Sequence, residues 1–259
     1  MKLLIIMALS LFSIPMFAQT SADVEVGWLG TVASNSSDFN LLTHAVIPRK
    51  FKGTRFAAGF TNFYTQKSCN AMHWGLRKSD SAKSYGLGGF IFGNGVMRQF
   101  GWRVLFAKAL SEQTQMGLCI DLERTRFPEI TLLQWKWDWS ISYQAERYNG
   151  IFWIRGNAQR KAWWQSRGHY GTAWSFVLSE STEINASAVF KLYQKTTIQG
   201  GIFQAFNHQW KGFLSYQVQP MQWVLGLIKS TPHFKLAISV MFSAMPLPCF
   251  DHQWLYERN

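Results

Sequence analysis

Between Trp135 and Tyr143 the chain reads WKWDWSISY, and no other stretch restricts the fold so tightly. Trp135, Trp137, Trp139, Ile141 and Tyr143 fall on one side of an extended chain, and Lys136, Asp138, Ser140 and Ser142 on the other. A period of two with opposite chemistry on its two faces describes a β-strand lying between two different media. In a soluble sandwich the apolar face would meet a second sheet. In a membrane barrel it would meet lipid, and the polar face would meet the lumen.

The alternation recurs. Met116, Leu118, Ile120 and Leu122 interleave with Gly117, Cys119, Asp121 and Glu123, and Ile184, Ala186, Ala188, Phe190 and Leu192 with a mostly polar set ending in Lys191 and Tyr193. Trp210, Leu214, Tyr216 and Val218 interleave with Lys211, Ser215 and Gln217, and Phe234, Leu236, Ile238, Val240 and Phe242 with Lys235, Ala237 and Ser239. Weaker runs cover residues 56–64, 72–76, 85–92, 100–109, 151–157, 172–178, 198–206 and 223–228. Together they predict about 12–14 strands, each near the length a tilted membrane strand needs. Turn residues separate them at 79–81, 93–95, 148–150, 207–208 and 230–232. Asn149-Gly150 among these is a strong hairpin signal, because both residues tolerate positive φ. Short turns between consecutive strands imply an all-β, antiparallel up-and-down transmembrane barrel.

Composition agrees with that reading. Aromatic residues make up 16% of the chain, with 13 Trp, and charged residues only 15%, against about 25% in soluble domains. Mean hydropathy is −0.08, as expected when only alternate residues face lipid. Residues 1–18 have the order of a secretory signal: Lys2, an apolar run interrupted by Pro15, and Ala18 before polar Gln19. The run is shorter than the roughly 20 residues of a spanning helix, so cleavage after Ala18 is expected. Residues 19–52 then form an N-terminal lead, a first strand or a small plug. Residues 53–244 form the barrel, closed by the strand ending at Phe242, and residues 245–259 form a tail or a last strand. Cys69, Cys119 and Cys249 have no metal-site spacing. A bridge between Cys69 and Cys249 would require closure to bring them together.

The Phe17-Ala18-Gln19 ending, the many short amphipathic strands and the sparse acidic residues resemble outer-membrane barrels of Bacteroidota-type bacteria. Within those, the chain distantly resembles the FadL-like group that includes the PorV and PorQ secretion-system proteins. Residues 36–42 (SSDFNLL) sit where that group places an Asn-Pro-Ala element, but Leu41-Leu42 follow Asn40 here. Residues 85–93 (YGLGGFIFG) are similar to its glycine-bearing strands. The resemblance implies about 14 strands, a plug, and either hydrophobic-ligand transport or a role in type IX secretion. It transfers no functional residue.

The polar faces name the candidate lumen-lining residues: Arg103, Asp121, Glu123, Lys136, Asp138, Arg155 and Lys191. Asp121 and Glu123 share one strand face about 7 Å apart. That spacing suits an acid–base pair or a divalent cation, and equally a wall paired with basic residues on neighbouring strands. The basic link at residues 159–169 predicts an outer loop. There Arg160, Lys161 and Arg167 would meet lipopolysaccharide phosphates, and Trp163 and Trp164 the membrane interface. The net charge of +12 is spread over the chain rather than clustered, so a nucleic-acid partner is not expected. No catalytic residue, metal or cofactor is assigned. A hydrolase could be assembled only from Ser175, Asn207 and His208, with no nucleophile-elbow motif around a serine. The favoured expectation is a channel or transporter for a small or hydrophobic solute. The alternatives are a scaffold with a secretion-system or periplasmic protein partner and, ranked last, a membrane-embedded hydrolase.

Overall fold

The computed structural model describes residues 45–46, 52–62, 70–93, 97–159, 168–191, 196–218, 221–243 and 249–258. These form fourteen strands. They are β1 (Gly53–Asn62), β2 (Asn70–Ser79), β3 (Lys83–Gly93), β4 (Arg98–Ala109), β5 (Thr114–Arg126), β6 (Thr131–Gln144) and β7 (Tyr148–Gln159), followed by β8 (His169–Val177), β9 (Thr182–Lys191), β10 (Thr197–Ala205), β11 (Trp210–Gln217), β12 (Gln222–Ser230), β13 (Phe234–Ser243) and β14 (Cys249–Arg258). Each strand pairs with its sequence neighbours, and β1 pairs antiparallel with β14, so the sheet is a closed up-and-down barrel. Closure lets every strand bond on both sides, which an environment without water demands. The closing strand is β14, so Phe242, the residue expected to end the barrel, lies one strand earlier on β13. Leu255 is buried while Trp254 and Tyr256 are exposed, so β14 carries the same two-faced pattern as the strands before it.

β4 shows how sequence sets orientation. Arg98, Phe100, Trp102, Val104, Phe106 and Lys108 point outward, and Gln99, Gly101, Arg103, Leu105 and Ala107 point inward. Val104 is 57% exposed although apolar. The outward faces of the other strands repeat this with Leu118, Ile120, Trp135, Trp137, Leu214, Leu225 and Ile238. From Arg98 to Lys108 the strand rises about 33 Å. Tilted about 40°, this leaves an apolar band about 25 Å tall, the height of a membrane-barrel band.

Links at one end are short, at residues 80–82, 110–113, 145–147, 178–181, 206–209 and 231–233. Those at the other end include residues 63–69 and 160–168. Short turns mark the periplasmic end of such barrels. Side chains cap these turns: Asn207 Oδ1 accepts from the backbone N–H of Gln209 and of Trp210, both at 2.9 Å. Asp80 Oδ1 accepts from Ala82 at 2.7 Å and Lys83 at 2.6 Å. The N–H of Lys83, then that of Ala82, hold the Asp80 carboxyl below its ordinary value. A depressed carboxyl stabilises the fold above its unfolded pKa, and that contribution disappears as pH falls through the folded value. The stability gap between the native protein and Asp80→Ala, followed by denaturant titration, is therefore expected to narrow below about pH 4. A pH-independent gap would show that the turn does not depend on the charge.

The hairpin expected at Asn149-Gly150 is not a turn. Both residues lie inside β7, and the chain reverses at residues 145–147. Asn149 points into the lumen, and Gly150 faces Trp174 of β8. A Cβ at Gly150 would come within 2.5 Å of that ring, so the glycine accommodates an aromatic across the ladder rather than a positive φ.

Candidate functional site

The lumen has two unlike walls. The first is charged and spans β2 to β7. Arg103 and Asp121 face each other across β4 and β5 and pair through both ends of the guanidinium, at 2.6 and 2.7 Å. Lys136 Nζ donates to Glu123 Oε1 at 2.6 Å, reaching diagonally, because its direct partner in the ladder is Asp121. Gln99 Nε2 donates to the other Glu123 oxygen at 3.0 Å. Arg155 on β7 donates to Asp138 Oδ2 on β6 at 3.1 Å. Cys119 Sγ lies 3.3 Å from Asp121 Oδ1. All these charged side chains are buried, with Arg103 only 5% exposed.

The wall also holds a piece of the N-terminal lead. Ala45 and Val46 are 0% and 1% exposed. Arg77 Nη2 donates to the Ala45 carbonyl at 2.6 Å, and the Val46 N–H donates to Ser140 Oγ at 3.3 Å. Val46 packs with Ala107, Ile151, Trp153, Ala173 and Val189, which point inward, and Ala45 with Leu105 and Cys119. Trp153 lies opposite Gly171, where a Cβ would strike its ring.

The second wall is apolar and spans β10 to β14 and β1. Phe203, Phe213, Val224, Ile228, Ala237, Leu255 and Ala57 form one buried cluster. The rings of Phe203 and Phe213 stack with centroids 5.3 Å apart. Gly226, directly opposite Phe213, leaves room for that ring, since a Cβ there would collide with it. In a closed ring of fourteen, β12 stands across the lumen from β5, so this wall faces the ion pairs. Between the walls runs a polar row on β8, β9 and β11. Ser175 and Asn185 are cross-strand neighbours, and Gly201 links Asn185 to Ser215. All three side chains are buried, and among the described residues neither hydroxyl nor either atom of the Asn185 amide has a hydrogen-bond partner. Below the row, at the short-turn end, a concavity of about 310 Å³ reaches Asn149, Glu183, Phe203, Ala205 and Lys211. That volume is at the small end of small-molecule pockets.

The inward candidates Arg103, Asp121, Glu123, Lys136, Asp138 and Arg155 thus come together as three ion pairs on adjacent strands. Arg103, Lys136 and Arg155 occupy the positions where a cation or acid–base role would need free carboxylates. Among the described residues no group of His, Cys, Asp and Glu has metal-site geometry. Lys191 ends β9, but its side chain lies outside the described residues, as do Arg160, Lys161, Trp163, Trp164 and Arg167. Ser175 is buried on β8, whereas Asn207 and His208 sit on an exposed turn where the Asn207 oxygen is used for capping. They form no hydrogen-bonded set among the described residues. The apolar wall was missed by reading every strand as two-faced. Its signal was residues 223–228, WVLGLI, apolar at every position, as in a strand covered on both sides.

No family model and no curated protein matches the sequence. Solved structures do match the fold. The CymD monoaromatic hydrocarbon channel superposes with a TM-score of 0.67 over 90% of this chain and 98% of its own, at 10% identity. The Pseudomonas putida toluene transporter TodX gives 0.62 over 91% and 96%, at 8% identity. A Pseudomonas aeruginosa FadL homologue gives 0.57 over 90% and 98%, at 9% identity. The fold is therefore an outer-membrane-type β-barrel of fourteen antiparallel strands. Of these neighbours, CymD is named as a channel and TodX as a transporter.

Proposed function

We propose that this protein is an outer-membrane channel for small hydrophobic solutes, and that the solute travels along the apolar wall. The observation that carries this reading is the stacked Phe203–Phe213 pair within an unbroken apolar cluster on the lumen side. A lumen made for ions or sugars would not place seven apolar side chains there. The ion-paired wall opposite fixes the barrel's shape, since its charges are already matched. The structural likeness to barrels named for monoaromatic hydrocarbons and toluene supports the same class of solute.

The buried Ala45-Val46 segment supports reading residues 19–52 as a plug that narrows the path. It also favours a second reading, a filled, non-conducting scaffold of the secretion-system type. Uptake of labelled toluene by cells expressing the protein tests the first. Phe203→Asp is expected to lower uptake about tenfold, the equivalent of losing one aromatic contact along the path. Unchanged uptake, together with no conductance in planar bilayers, would favour the scaffold.

A further inference from the structure

We propose that the lipid-facing rim of β4 and β5 binds a phosphate-bearing anionic headgroup of the outer leaflet through Arg98, Arg124 and Arg126. All three belong to the outward set of their strands and are exposed. They lie at the end of the barrel with the longer links, the external end by the turn-length rule. Arg98 stands directly opposite Arg126, and Arg124 opposite Phe100. Like charges placed opposite in a ladder destabilise it unless an anion joins them. Among the described residues none of the three forms an ion pair, and Glu129, in the adjoining link, does not reach them.

The arginines that face the lumen are compensated. Arg103, Arg155 and Arg77 are each held inside by a carboxylate or a carbonyl. At the opposite rim Lys108 faces Lys83, but the Asp80 carboxylate interacts with Lys83 and Lys78. The arginine rim thus sets three positive charges on two adjacent strands with no ion-pair partner among the described residues. Its height also fits. Arg98 and Lys108 bracket the apolar band, so the trio sits where outer-leaflet headgroups begin. Phe100 and Trp102 lie just below it, in edge-to-face contact at 5.4 Å, as an interfacial aromatic pair. Three planar guanidinium forks projecting from adjacent strands match the several acceptor oxygens of a phosphate.

The test compares the full-length protein with Arg98→Gln/Arg124→Gln/Arg126→Gln in a non-ionic detergent. Retention of added phosphatidylglycerol, phosphatidylcholine or inorganic phosphate is read by native mass spectrometry. The native protein is expected to retain phosphatidylglycerol over phosphatidylcholine, and the triple variant to bind it about a hundredfold more weakly, roughly fivefold for each arginine. Unchanged migration on an unboiled gel establishes that the variant is folded. If it is not, Arg126→Gln alone is measured, with a loss of about fivefold expected. Equal retention by native and variant proteins would overturn the proposal. So would displacement of the lipid by an equimolar amount of inorganic phosphate, which would make the site one for a free anion. Toluene uptake should not change in the triple variant, so this site and the lumen reading stand or fall separately.

Discussion

Asp121→Ala is expected to lower the free energy of unfolding by about 3–5 kcal/mol, the cost of removing one partner from a buried pair. The reason lies in what remains. Arg103 is buried and bonded to Asp121 through two of its nitrogens. A guanidinium does not lose its proton in proteins, so the stranded charge cannot be relieved by neutralisation. The double variant Arg103→Met/Asp121→Leu should recover most of the loss, since the pair's attraction largely offsets its desolvation. Urea titration in lipid or detergent, followed by gel mobility, measures both. A loss below about 1 kcal/mol for Asp121→Ala would mean that lumen water solvates the wall as it would a surface pair.

The second large effect lies on the other face. Val104 sits near the middle of the outward row between Arg98 and Lys108. Val104→Arg should destabilise the barrel in bilayers by about 2–4 kcal/mol, and Tyr85→Arg, close to the short-turn rim, by only about 0–1 kcal/mol. Depth dependence is the signature of hydrocarbon, because a water-soluble sheet would show no such gradient. Folding titrations into vesicles give the two values. Equal costs at both positions, or a native protein that stays soluble without detergent, would remove the membrane-facing assignment.

The fold was readable because its signal is local and repeated. Alternation at Trp135–Tyr143 gave β6 its two faces, and the same pattern gave the inward direction of Asp121, Glu123 and Arg103. The pairs themselves were less legible. Asp121 has Lys136 as its ladder neighbour on β6 yet bonds Arg103 on β4, a choice made by register and side-chain reach. Asn149-Gly150 misled because a turn signal and a site of aromatic packing look alike in one dimension. The apolar wall was hidden for a related reason: Phe203 and Ile202 are both apolar, so neither face of β10 stands out by contrast. The arginine rim needed the register that sets Arg98 against Arg126, residues far apart in sequence.

The nine-residue seam between β1 and β14, from Thr54 opposite Arg258 to Asn62 opposite Phe250, joins the two ends of the sheet. A hoop of this kind has no outermost member. Parting any two neighbours bares two rows of amide groups to hydrocarbon at once, each costing several kcal/mol. An arc of thirteen strands is therefore not a slightly weaker version of the whole. It cannot rest in the bilayer unless some other surface lines its open sides, so insertion and ring closure must occur as one event.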